Sequence, residues 1–180
     1  MSQMKSYRDG KLITETEDHP SIAARLQQIG VRFERWHADA PLAADASPEQ
    51  VLAAYRDPVA RLVEENGLQS GDVIHLGPDH PQRDELRAKF LSEHVHDDFE
   101  IRFFVAGKGL FYLRPNDDEV LAVLCEQGDL ISVPAGVRHW FDMGPRPDFP
   151  CIRLFTPPEG WVARFTGDPV ADDYPRLEAA

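Results

Sequence analysis

Between Phe99 and Thr156 the chain is cut into six short runs rich in β-branched and aromatic residues: Phe99–Ala106, Leu110–Arg114, Val120–Cys125, Leu130–Val133, His139–Met143 and Ile152–Thr156. Explicit turn sequences lie between them, among them Gly107-Lys-Gly109, Pro115-Asn-Asp-Asp118, Gly128-Asp129 and Pro134-Ala-Gly136. Runs this short are strand-length rather than helix-length, and connections this short join antiparallel neighbours. Regular spacing of this kind predicts an antiparallel barrel or sandwich.

The first ninety residues read differently. From His19-Pro20 to Ile29-Gly30, apolar residues fall at helical spacing and close on a glycine, which predicts a short helix. Val31–Trp36 follows as a strand. Ser47-Pro48-Glu49-Gln50 supplies an N-cap, a first-turn proline and a capping-box glutamine, and the helical pattern then runs to Gly67 with a break expected near Pro58. Asp72–Leu76 reads as a strand, and Pro81 to Phe90 as a helix delivering the chain to His94. The fold expected is mainly β with N-terminal helices. One domain is predicted over residues 1–180, with a helical segment at about 1–90 packed on a barrel at about 70–165 and a tail at 166–180. The stretch after Pro157, rich in proline and acidic residues, is expected to wrap the surface or fray.

Composition narrows the function classes. With 31 acidic against 19 basic residues the net charge is −12, which argues against binding nucleic-acid phosphates or an anionic membrane surface and for a small-molecule partner. Two cysteines, Cys125 and Cys151, sit in apolar runs and are expected to be small core residues, so the reading favours a reducing compartment, the cytoplasm. No apolar stretch approaches membrane-spanning length.

The chemistry concentrates in His94-Val-His96-Asp-Asp-Phe-Glu100 and Pro134-Ala-Gly136-Val-Arg-His139. Side chains alternate faces on a strand, so His94, His96 and Glu100 share parity. Three nitrogens and one carboxylate oxygen suit a divalent first-row transition metal with positions left open for substrate. The same parity turns Arg102 and Phe104 inward and Phe99, Ile101 and Phe103 outward. A buried arginine is costly alone: Arg102 either pairs with Asp98 or Glu100 or awaits an anionic substrate, and the second is the expectation. Phe141 shares a face with His139 and is a candidate for the pocket wall. Singly, each histidine is as ordinary as His19, His37, His75 or His80, which are read as structural or exposed; together the four residues form a composite pattern with few accidental matches.

His94-x-His96-x3-Glu100-x6-Gly107 and Gly128-x5-Pro134-x-Gly136-x2-His139 resemble the two motifs of the cupin superfamily, double-stranded β-helix (jelly-roll) barrels with the metal inside. Ala88 stands where the first motif usually opens with glycine, and Met143 where the second often ends with asparagine. More specifically, Phe90-Leu-Ser-Glu-His94-Val-His96, Glu100-Ile-Arg102-Phe-Phe-Val, Gly107-Lys-Gly-Leu-Phe-Tyr-Leu and His139-Trp-Phe141-Asp-Met-Gly144 resemble the acireductone dioxygenase family of methionine salvage. The resemblance implies that His94, His96, Glu100 and His139 hold one Fe(II) or Ni(II) per chain. It also implies that Arg102 orients or charge-balances an enediol substrate, that Phe90, Phe141 and Trp161 shape its pocket, and that the chain is a monomer.

The same resemblance implies a reaction with O2 whose products follow the metal. With iron, 1,2-dihydroxy-5-(methylthio)pent-1-en-3-one gives 4-methylthio-2-oxobutanoate and formate; with nickel it gives 3-(methylthio)propanoate, formate and carbon monoxide. Nickel has the higher intrinsic affinity for nitrogen and oxygen donors, and iron the greater availability. The barrel and ligand set would also serve another cupin enzyme, such as a sugar-phosphate isomerase or a different dioxygenase, or a non-enzymatic cupin binding module. A phosphate-bearing substrate asks for several converging cations, whereas only Arg102 and Arg138 stand near the ligands in sequence. Structural zinc asks for cysteine-rich closed ligation, for which neither cysteine is placed.

Overall fold

The computed structural model describes residues 1–38, 41–43, 45–156 and 162–178. Two antiparallel sheets form a flattened barrel. The seven-stranded sheet orders the strands 164–165, 94–95, 138–142, 108–114, 119–126, 3–8 and 11–16, and the five-stranded sheet orders 32–35, 129–133, 100–104, 149–155 and 70–76. The six sequence-predicted strands are β6 (Glu100–Phe104), β7 (Lys108–Arg114), β8 (Glu119–Glu126), β9 (Asp129–Val133), β10 (Arg138–Asp142) and β11 (Phe149–Phe155).

The central strands of both sheets are covered on both faces, which is why they read as apolar runs rather than clean alternations. Along β8, Leu121, Val123 and Cys125 enter the barrel interior with Phe111 and Leu113 of β7 and Ile131 and Val133 of β9. The intervening Val120 and Ala122 face outward beside Tyr112 and Trp140, and are covered by Ala171 and Tyr174 from the tail. On the other sheet Ile101 and Phe103 turn outward against Val51, Tyr55 and Leu62 of the helices, as the parity predicts.

The helices form where their end signals are. α1 (His19–Gln27) begins under Asp18, whose carboxylate accepts from the Ser21 amide at 3.0 Å, and buries Ile22 and Leu26 one turn apart. α2 (Pro48–Ala54) has the full capping box: the Ser47 amide donates to Gln50 Oε1 at 2.8 Å and the Gln50 amide to Ser47 Oγ at 3.3 Å. The break expected near Pro58 falls at Tyr55. Proline tolerates only the first turn of a helix, so a new helix, α3 (Arg56–Asn66), has to start just upstream of it. α4 (Arg83–Phe90) then leads to the site.

Four strands lie among the helices of the first ninety residues: the two expected near Val31–Trp36 and Asp72–Leu76, and an N-terminal hairpin that the sequence reading did not include. β1 (Gln3–Arg8) and β2 (Lys11–Thr16) form a hairpin, and β1 pairs along its length with β8, so the N-terminus is built into the larger sheet. β3 (Arg32–Arg35) pairs with β9, and β4 (Ser70–Leu76) with β11. The overlooked signal is Asp9-Gly10, with φ of 49° and 72°, the left-handed pair of a tight hairpin turn.

The described part of the tail wraps rather than frays. β12 (Arg164–Phe165) pairs with the two-residue β5 (His94–Val95), and a 3-10 turn at Pro169–Asp173 follows. Further on, the Leu177 amide donates to the fully buried Asp142 carboxylate at 2.8 Å, which also receives Arg87 from α4. Among the described residues, no helix is long and apolar enough to cross a membrane.

Candidate metal centre

His94, His96, Glu100 and His139 are all buried and each offers one donor atom, the four lying within 4.8 Å of one another. Four elements bring them together: β5, the turn after it, the first residue of β6, and β10. Glu100 heads β6 opposite Val133 of β9, while His139 lies directly opposite His94 across the β5–β10 ladder. Gly136, with φ of 78°, closes the turn before β10 by donating its amide to the His96 carbonyl at 3.0 Å, so the second motif is tied to the first through the main chain.

Two of the rings have fixed tautomers. His94 Nδ1 lies 2.7 Å from the Ser92 carbonyl and His139 Nδ1 lies 2.7 Å from the Val137 carbonyl. A carbonyl can only accept, so each Nδ1 carries the proton and each Nε2 turns a lone pair inward. Burial, reinforced by the neighbouring His139, pushes the His94 pKa down to about 4, which keeps it neutral at ordinary pH. Burial alone would raise the pKa of Glu100. The Arg102 guanidinium, with the His139 and His96 rings in contact, outweighs burial and holds the carboxyl well below the usual range. The site thus presents a neutral His94 nitrogen and a carboxylate beside the two other rings.

A first-row ion with bonds of about 2.1 Å spans donors up to about 4.2 Å apart, so a slight contraction would gather all four atoms. Four protein donors would leave two positions on a six-coordinate ion. The residues present fit a resident divalent metal, and their N3O character suits iron or nickel better than calcium or magnesium.

His94, His96 and Glu100 line a cavity of about 360 Å³. Arg102 and Phe104 line it, as parity predicts, and so do Phe90 and Phe141, whose rings are 6.3 Å apart. Ile74, Leu76, Phe111 and Phe149 complete an apolar wall. Trp161 lies outside the described residues. Arg102 does not simply await an anion: its Nε donates to Glu100 Oε1 at 3.0 Å, because residues two apart on a strand are neighbours on one face. Arg138 is drawn outward to Asp117 at 2.7 Å and is absent from the lining. Sequence reasoning missed two other cations of the cavity, Lys89 and Arg153. Arg153 stands directly across from Arg102 in the β11–β6 register and pairs with Asp72 at 2.8 Å, a relation only strand pairing could reveal.

Cys151 also touches the cavity, where burial raises its thiol pKa to about 11, and it stands outside the cluster of four donors. Cys125 is buried and free as well. A second, larger cleft of about 1150 Å³, between Trp36 and Pro150, contains none of the four donors.

Residues 2–163 match the model of the ARD/ARD′ family. The acireductone dioxygenase of Methylococcus capsulatus is 61% identical over 158 residues, 88% of this chain and 84% of that protein. That of Aquifex aeolicus is 53% identical over 179 residues, covering 99% and 97%. Among solved structures, an acireductone dioxygenase from Bacillus anthracis with a cadmium ion in its active centre superposes with a TM-score of 0.81 at 32% identity, covering 92% of this chain and 98% of that one.

Proposed function

The chain belongs to the ARD/ARD′ family and is an acireductone dioxygenase with a cupin barrel and a metal cofactor, and we propose that His94, His96, Glu100 and His139 hold that metal as a single Fe(II) or Ni(II). The observation that carries the assignment is the convergence of four buried donors, one of them a carboxylate kept anionic by Arg102, at the end of an apolar cavity.

Bound there, the ion supplies Lewis-acid stabilisation of an electron-rich enediolate. The chain's own residues do the rest. Arg102 sets a positive charge beside the carboxylate and the substrate oxygens, balancing negative charge in a water-poor space. Phe90 and Phe141, with Phe104 and Phe111 behind them, receive the apolar tail of the substrate and exclude water. Trp161 keeps its proposed place in that wall on the strength of the sequence resemblance.

We further read residues 1–180 as one domain, working as a cytoplasmic monomer on a small enediol and O2 without nucleic acid or membrane. The net charge of −12 and the two free cysteines support this. The test of the metal assignment is anaerobic reconstitution with Fe(II) or Ni(II) separately, followed by metal analysis and product assay. One ion per chain and formate from both forms, with carbon monoxide only from the nickel form, is the expected result; failure to retain either ion overturns it.

A further inference from the structure

β5, which carries His94, is only two residues long, and its ladder to β10 is the single pair His94–His139. Strands this short do not hold their own place. Its other edge is covered by β12, where Phe165 lies opposite His94 and Arg164 opposite Val95. The Phe165 ring stands edge-on to the His94 imidazole at 5.8 Å, and Phe165 lines the metal cavity.

What seats β12 is an ionic cluster beside the ligand, with Glu93 and Arg114 buried on the barrel side and Thr166 and Asp168 reaching them from the exposed tail. Glu93, immediately before His94, is 2% exposed, and Arg114 of β7 is 8% exposed. Arg114 Nη1 donates to Glu93 Oε2 at 3.1 Å and to Asp168 Oδ2 at 2.9 Å. Thr166 joins from the tail: its hydroxyl donates to Glu93 Oε1 at 2.8 Å and its amide to the Glu93 carbonyl at 3.1 Å. Asp168 also caps the 3-10 turn through the Val170 amide at 3.0 Å. A buried ion pair is poor value for stability compared with apolar packing, and what it does supply is a fixed arrangement of the segments that share it. Here those segments are the ligand strand, β7 two strands away in the same sheet, and the C-terminal tail.

We propose that Glu93, Arg114, Thr166 and Asp168 form a clasp that makes β12 the outer wall of the metal cavity, with Phe165 as the positioning residue for His94. The clasp shields the ligand edge from water and competing chelators, so the tail after the barrel belongs to the catalytic centre. This rests on the reading of His94 as a ligand.

The test compares Asp168→Ala and Thr166→Val with Asp172→Ala, whose ion pair with Arg176 lies on the same turn but outside the clasp. Hydrogen exchange of the 163–168 amides is measured by mass spectrometry, and nickel loss from the Ni(II)-loaded protein is timed in excess EDTA. Both clasp variants should exchange about tenfold faster in that segment and release nickel about tenfold faster, at unchanged stoichiometry before chelation, while Asp172→Ala matches the parent. Parental exchange and release in both clasp variants would overturn the proposal. If Asp168→Ala fails to fold, Thr166→Val, which removes one hydroxyl, carries the test. If the parent holds no nickel, the metal assignment falls, and the exchange measurement still decides the clasp.

Discussion

His94 and His139 face one another across the β5–β10 ladder with ring centroids 4.5 Å apart, and each gives its Nδ1 to the main-chain carbonyl two residues upstream. The backbone therefore sets the direction of both Nε2 lone pairs before any ion arrives. His139→Gln keeps a polar group of similar reach without that fixed direction and should weaken Ni(II) binding about 100-fold. His96→Ala, which removes the ring 3.1 Å from Glu100, should lose the ion outright with the far-UV dichroism unchanged. Equilibrium dialysis measures both, and full occupancy at micromolar free nickel in His96→Ala would exclude it as a ligand.

Arg102 has two tasks, and one variant separates them. Arg102→Ala should hold metal at neutral pH but lose kcat/KM by roughly 100-fold, because a fixed counter-charge to the substrate is gone. Without the guanidinium, burial acts on Glu100 less opposed, and its carboxyl takes up a proton at higher pH than in the parent. Metal binding in the variant should therefore fail at a higher pH as the solution is acidified. A binding-versus-pH curve superimposed on the parental one would remove Arg102 from that role.

Glu34 offers a pH test away from the metal. Its carboxylate accepts from Trp36 Nε1 at 2.8 Å and pairs with Arg32 and with Arg61. Burial pushes its pKa up, but those partners together bring it below the ordinary value. A depressed folded pKa contributes stability above the unfolded value of 4.5, and the contribution is lost as pH falls through the folded value. Glu34→Gln should cost about 1 kcal/mol at pH 7 and progressively less below about pH 4.5. Urea titrations at both ends of that range decide it; a penalty that grows on acidification would contradict the sign.

The ligand set was legible as a composite spacing and not as one strand, since His94 lies on β5, His96 in the turn after it and Glu100 on β6 of the other sheet; parity holds from Glu100 onward, where Arg102 and Phe104 follow it and Ile101 and Phe103 must pack elsewhere. The capping box at Ser47 was equally local. Arg153 was not legible, since its place beside Arg102 comes from the β11–β6 register, a relation between segments about fifty residues apart. Nor was β12, whose two residues carry no periodicity and owe their strand geometry to β5 and the Glu93 cluster. The N-terminal hairpin lies between these cases: Asp9-Gly10 announced the turn, but β2 is nearly all exposed and offers no alternation.

Gly109 controls the width of the cavity through Phe141. A Cβ on Gly109 would lie 2.4 Å from two ring atoms of Phe141 and 3.2 Å from Phe104, so glycine is what lets the Phe141 ring lie back against β7. Gly109→Ala leaves the backbone and the four donors in place and displaces the ring, which is the free end of its side chain and moves more cheaply than a strand. The open direction is the cavity, already shared by both residues' neighbours Phe104 and Phe111. The variant should fold with a loss of about 1–3 kcal/mol from overpacking, bind metal normally and show a raised KM for the substrate's apolar end. Phe141→Leu in the Gly109→Ala background removes the clash and should recover most of the lost KM. If the double variant is no better than the single one, the ring is not the element through which Gly109 acts.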